Sequence, residues 1–133
     1  MTDSWKNNHA LFLIVVGALA WLVPGAGHFL LDKRRQAAVI LVAVVLTFLM
    51  GLFIGSVGVI DPVGAKPWYA AQVMNSPVVI LLGRISVAGN YPVYGRPNEI
   101  GQIYTSIAGL LNLLCIVNAV YLAHLQGVKG ARA

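Results

Sequence analysis

The sequence predicts an all-α membrane protein with three transmembrane helices: a hairpin of two spans, a proline-rich interfacial or re-entrant segment, and a C-terminal span. Composition comes first. Only 13 of the 133 residues are Asp, Glu, Lys or Arg, and 59% are hydrophobic, whereas a soluble globule has about a quarter charged residues. The mean hydropathy is +0.80. Patterning comes second: uncharged runs of 25, 25 and 29 residues cover 7–31, 36–60 and 100–128. The third observation is that five of the six prolines fall within 61–98, which forbids one long regular helix there. The whole length, 1–133, is read as one integral-membrane domain.

The first span is expected over 7–23. Pro24-Gly25-Ala26-Gly27 removes a helix hydrogen bond and loosens the backbone, so the helix should stop near Val23 after about 25 Å. That is short, but it spans if the flanks snorkel. Lys6 before an apolar stretch and Ala18-Leu19-Ala20 also fit a signal peptide. Cleavage is the less favoured reading, because the apolar stretch continues through Trp21, Leu22 and Val23. Pro24 to Gly27 is then a surface turn, and the second span, 37–58, completes the hairpin.

In the segment 61–98, Pro67 suits the first turn of a short helix over Trp68–Asn75, with Trp68 and Tyr69 at the interface. The stretch 67–83 is uncharged for 17 residues, long enough for a fourth span, but Pro77 in its middle favours an interfacial or re-entrant path. Residues 84–98 read as an extended or looped cap. The last span, 100–124, follows Pro97-Asn98-Glu99, which places a polar cap and an acid at the positive end of the helix dipole. The ends, 1–8 and 126–133, are expected to fray unless a partner orders them.

Basic residues set the orientation. With Lys33, Arg34 and Arg35 cytoplasmic, three spans place Lys129 and Arg132 inside as well and leave Lys6, Lys66, Arg84 and Arg96 outside, giving an external N-terminus. The net charge of +5 reads as a topology signal at a membrane surface rather than a nucleic-acid footprint. The expected location is the bacterial inner membrane, multi-pass, with the lipid bilayer and other membrane-protein subunits as partners.

No motif points to an enzyme. Gly25-Ala26-Gly27 lacks the third glycine of a dinucleotide site, and Gly55-Ser56-Val57-Gly58 has the wrong spacing for a nucleophile elbow. The lone Cys115 cannot form an intramolecular disulfide. His9, His28 and His124 sit at span ends without metal-ligand spacing. His28 and His124 are nonetheless the two candidates to ligate a haem or chlorophyll from the membrane edge; the ordinary reading is a solvated or hydrogen-bonded interfacial histidine, and no cofactor is expected. All four acids, Asp3, Asp32, Asp61 and Glu99, fall at run boundaries, which argues against a proton-coupled transporter.

The clearest constellations are helix-packing faces. Ala43, Thr47, Gly51 and Gly55 recur every four residues, so small side chains line one helix face and let another backbone approach. In the last span Gly101, Thr105, Ala108, Asn112, Cys115, Ala119 and Ala123 form a second stripe, with Asn112 and Asn118 as mid-span polar groups suited to interhelical hydrogen bonds. The expected function is a non-enzymatic accessory or structural subunit of a larger membrane complex. The alternative is a small transporter or oligomeric channel lined by Asn112, Thr105 and Asn118.

Trp21 to Gly55, with Pro24-Gly25-Ala26-Gly27-His28-Phe29, resembles the helix hairpin of many small bacterial membrane proteins. Together with Glu99-Ile100-Gly101-Gln102-Ile103-Tyr104-Thr105 and Ala108-Gly109-Leu110-Leu111-Asn112, it resembles an uncharacterised bacterial integral-membrane family. That resemblance implies a fold and no activity.

Overall fold

The computed structural model describes residues 2–89 and 95–132, without the side chains of residues 2–7 and 131. Among the described residues the chain is all-α. Six helices follow in order: α1 (Thr2–Leu22), α2 (Ala26–Leu30), α3 (Arg34–Gly55), α4 (Lys66–Val73), α5 (Val78–Gly89) and α6 (Arg96–Arg132), with a single 3-10 turn at Val57–Val59 between α3 and α4. Two of them are long and apolar enough to cross a membrane, Arg34–Gly55 and Arg96–Gly130; the apolar parts of α1 (Asn8–Leu22) and α5 (Val78–Gly89) are shorter.

Helix α6, 37 residues long, is the axis on which the rest is assembled. Along α1, His9 meets His124, Gly17 lies against Val120, and Ala20 meets Asn112. Rising numbers meet falling ones, so α1 is antiparallel to the C-terminal half of α6. Along α3, Val44 and Phe48 cluster with Ala108, Gly51 meets Thr105, and Gly55 meets Pro97 and Gly101. Helix α3 is therefore also antiparallel to α6, but lies on its N-terminal half.

The predicted hairpin of two spans is thus corrected. Helices α1 and α3 run in the same sense, displaced along α6, and do not pack on each other. What folds back on α1 is α2: Gly27 sits between Ala20 and Ala119, and Leu31 joins Val16, Ala119 and Ala123 in one apolar cluster. The physical cause is the Pro24-Gly25 corner. Gly25 has φ 87°, a left-handed conformation costly for other residues, and a Cβ there would lie 2.5 Å from the Ala37 carbonyl oxygen. The chain reverses sharply, regains height beside α1, and enters α3 through Asp32 at φ 59°, a conformation that Asp tolerates better than most residues.

The second half repeats this plan in the opposite direction. Trp68 meets Ser106, Ala71 meets Gly109, and Met74 and Asn75 meet Asn112, so α4 runs parallel to α6. After the Asn75-Ser76-Pro77 turn, α5 returns along α4, with Gly83 against the Tyr69 ring and Val79 in the cluster of Val44, Val59, Ile60 and Ala108. Each half of the chain is therefore a folded-back helix pair followed by a long helix, and the two pairs approach from opposite ends of α6.

Other boundaries move as well. The second long helix starts at Arg34 and stops at Gly55, where the 37–58 reading began later and ended later; Ser56 at φ 64°, ψ 178° breaks it. The segment 61–98, expected to end in an extended cap, is largely helical: α5 continues to Gly89 and α6 already begins at Arg96, with residues 90–94 of the predicted cap outside the described ones. Pro67 sits in the first turn of α4, as expected, and Pro97 takes the same position in α6, which begins at Arg96, ahead of the expected 100. Helix α6 extends past His124 to Arg132, and α1 starts at Thr2, so both ends expected to fray are helical.

Candidate functional site: the polar centre where two helix pairs meet

The tips of the two folded-back pairs meet beside Asn112, near the middle of α6. Helix α1 arrives with the carbonyls of its last turn and α4 with those of its own, and helix ends leave carbonyls without intrahelical donors. Side chains supply the donors. Asn112 Nδ2 donates to the carbonyls of Asn75 (2.8 Å), Met74 (3.0 Å) and Ala20 (3.4 Å). Trp21 Nε1 donates to the Val73 carbonyl at 2.9 Å, and Ser76 Oγ to the Leu22 carbonyl at 3.1 Å. Broken helices are tolerated away from water only when their freed backbone groups are satisfied this way.

One turn along α4, Gln72 is fully buried. Its Nε2 donates to Thr105 Oγ1 (2.8 Å) and to the Val59 carbonyl (3.1 Å), while Thr105 Oγ1 donates to the Gly101 carbonyl at 2.8 Å. Ser106 Oγ donates to the Trp68 carbonyl at 3.3 Å. The close approach that permits this comes from Gly109, where a Cβ would overlap the Ala71 carbonyl. Gln72, Asn75, Trp21, Ser76 and Gly109 escaped the sequence reading. The available signal was Gln72 and Asn75 in the middle of the uncharged stretch 67–83.

The predicted packing faces are brought together over part of their length. A Cβ on Gly51 would lie 2.6 Å from Thr105 Cγ2 and 2.9 Å from the Gly101 carbonyl oxygen, and one on Gly55 2.9 Å from the Pro97 carbonyl oxygen. Gly101, Thr105, Ala108, Asn112, Ala119 and Ala123 are all buried, and Cys115 is half-buried. Ala43 is exposed, and Thr47, half-buried, turns its hydroxyl back to the Ala43 carbonyl. A four-residue repeat drifts about 40° per step around a 3.6-residue helix, so the end of that stripe rotates off the contact. The buried face of α3 is Ala37, Val44, Phe48, Gly51 and Gly55.

The histidines are placed differently from their sequence separation. His9 Nε2 and His124 Nδ1 lie 3.1 Å apart where α1 meets α6, although 115 residues separate them in sequence. His28 is 1% exposed, and its Nε2 lies 3.2 Å from Asn118 Nδ2. In that contact the Asn118 amide donates and Nε2 accepts, while Nδ1 is buried without a hydrogen-bond partner. Burial, and then the charge of Lys33, lower the His28 pKa below its ordinary value. Among the described residues, no three His, Cys, Asp or Glu side chains gather as a metal-ligand set.

No curated protein and no solved structure matches the chain. Residues 15–130, which contain the Pro24-Gly25 corner, both tips and the polar centre, match the family of unknown function DUF6677, and the chain belongs to that family.

Proposed function

We propose that this protein is a non-enzymatic structural or accessory subunit of a bacterial membrane complex, lying multi-pass in the inner membrane with α3 and α6 as its spans. In this reading α1–α2 and α4–α5 enter the bilayer from opposite faces and turn back at its middle. The observation that carries the proposal is the use made of the central polar groups. Asn112, Gln72, Trp21 and Ser76 hold helix ends together, and none is ionisable, whereas a group placed for transport chemistry would be expected to titrate. The outward faces support the same reading: Leu46, Phe53, Leu114 and Val117 are exposed along α3 and α6, surfaces suited to lipid and to the helices of other subunits. Lys33, Arg34, Arg35, Lys66, Arg96, Lys129 and Arg132 lie at helix ends and do not form one basic face, so nucleic acid is not a proposed partner.

A second reading, a small transporter or oligomeric channel, is favoured by one observation. The two halves are related by inversion, and their broken helices end at a common level, a plan shared with many transporters. Purification in mild detergent followed by native mass spectrometry separates the two readings. Reproducible co-purification with a large complex supports the accessory subunit; a homo-oligomer that conducts in planar bilayers overturns it in favour of the second.

A further inference from the structure

Because α1 and α3 do not pack on each other, a groove of about 350 Å³ remains beside the Pro24-Gly25 corner. Its walls are Val23, Pro24 and Gly25 on one side and Ala37, Ala38 and Leu41 on the other, with Phe29 at the edge. Arg34 is the one charged residue in that lining, its guanidinium 5.8 Å from the centre of the Phe29 ring.

The start of α3 is electrostatically unusual. A helix N-terminus carries a partial positive charge and favours acids, yet α3 begins with Lys33, Arg34 and Arg35, has no acid in its first turn and receives no side-chain cap. The nearby counter-charge is Asp32, 3.5 Å from Arg34 Nε, with both side chains largely in solvent. A pair so exposed contributes little.

We propose that this groove binds one anionic phospholipid, its phosphate held at Arg34 and the first turn of α3 and one acyl chain laid along the seam where the Pro24-Gly25 corner touches Ala37, against Val23, Ala38 and Leu41. The apolar walls select a chain and the basic mouth selects a negative headgroup, the pattern expected of basic pockets at a membrane surface. A partner helix is too large an occupant, since a helix with its side chains is about 10–12 Å across and a stable protein interface needs about 800 Å² on each side. The inference does not depend on the protein being an accessory subunit.

The test is native mass spectrometry of the full chain released from nanodiscs containing equal phosphatidylglycerol and phosphatidylcholine. The wild type should retain one phosphatidylglycerol in preference to phosphatidylcholine. Removing one basic group near the surface costs about fivefold, so Arg34→Gln should reduce that preference by about this factor, and Arg34→Lys should keep most of it. Ala38→Leu, which fills the groove without changing charge, should lower retention of both lipids, and Arg96→Gln at the far end should change neither. Equal retention of the two lipids by the wild type means annular lipid only and overturns the proposal. An unaltered preference in Arg34→Gln, unaltered retention in Ala38→Leu, or an equal loss in Arg96→Gln overturns it as well.

Discussion

Asn112 Nδ2 lies 2.8 Å from the carbonyl oxygen of Asn75, and this bond ties the middle of α6 to the tip of the α4–α5 pair. The same amide reaches Met74 and, across the tip of α1, Ala20. One side chain therefore joins three elements that the sequence separates by up to 92 residues. Asn112→Leu keeps the branched shape of the side chain and removes every one of these donations. A hydrogen bond between membrane helices contributes about 0.6–2 kcal/mol, and each buried carbonyl left without a donor adds about 1–3 kcal/mol. Asn112→Leu should thus lower the thermal midpoint in mild detergent much more than Asn118→Leu, which loses a single contact to His28 on an exposed face. Equal midpoints for the two variants would remove Asn112 from the centre of the fold.

Gly51 makes a separate prediction about the α3–α6 contact. A side chain there meets Thr105 Cγ2 and the backbone of residues 101 and 105, and backbone cannot yield as a side-chain tip does. Gly51→Leu should separate the helices and break the Gln72–Thr105 bond with them, for a loss of about 2 kcal/mol or more. Leu52→Ala, on the neighbouring half-buried position, should cost less. The comparison is made by thermal midpoint and by retention of the assembled form on size exclusion.

The parallel course of α1 and α3 changes the topology expected of the chain. In a two-span hairpin, Asn8 would lie on the side opposite Lys33 and together with Val63. In the observed fold, Asn8 lies at the same end of α6 as Lys33 and Lys129, while Val63 lies at the end of Arg96. Single cysteines placed at Asn8, Lys33 and Val63 in a Cys115→Ala background should therefore label in two classes with an impermeant thiol reagent on intact cells. Asn8→Cys should behave as Lys33→Cys does, and Val63→Cys should behave oppositely. Labelling of Asn8→Cys together with Val63→Cys would restore the hairpin.

How much of this was legible depends on what each feature rests on. The apolar character of α3 and α6, the helix start near Pro97 and the small-residue faces that carry Gly51, Gly55, Gly101 and Thr105 all rest on local pattern and could be read directly; that the two faces meet could not. The direction of α1 could not. Pro24-Gly25 says that the chain turns, but both a hairpin between two spans and a short fold-back satisfy the same backbone requirement. What decides between them is the fit of Gly17, Ala20 and Gly27 against Ala119 and Val120, a long-range match with no local signature. The first part of the expected cap, 84–89, is helix for a related reason: Gly83 and Ser86 are buried, Gly83 against the Tyr69 ring, and that packing overrides the weak local preference for a loop. Gln72 was visible as a polar residue in an apolar stretch, but nothing local pairs it with Thr105, which the sequence offered as a stripe residue and as a channel lining.

His28 supplies a pH prediction whose sign follows from its surroundings. Its ring is buried in α2 between Asn118 and the basic start of α3, and both burial and Lys33 disfavour the imidazolium, so its pKa in the folded protein lies below the ordinary 6.5. The unfolded chain therefore binds the proton more readily, and stability must rise with pH between the folded and unfolded values. Well above pH 6.5 the ring is neutral in both states and contributes no pH dependence. As the pH falls below that value the unfolded state gains protons first, and the fold loses stability until the folded ring titrates too. Thermal midpoints in detergent should be flat from pH 8 to 7 with respect to this group and should decline from pH 6.5 downward. His28→Gln cannot titrate and should decline less steeply over the same range, leaving only the contribution of other groups. If the wild type and His28→Gln show the same slope below pH 6.5, the ring does not titrate where its burial and its neighbour Lys33 require.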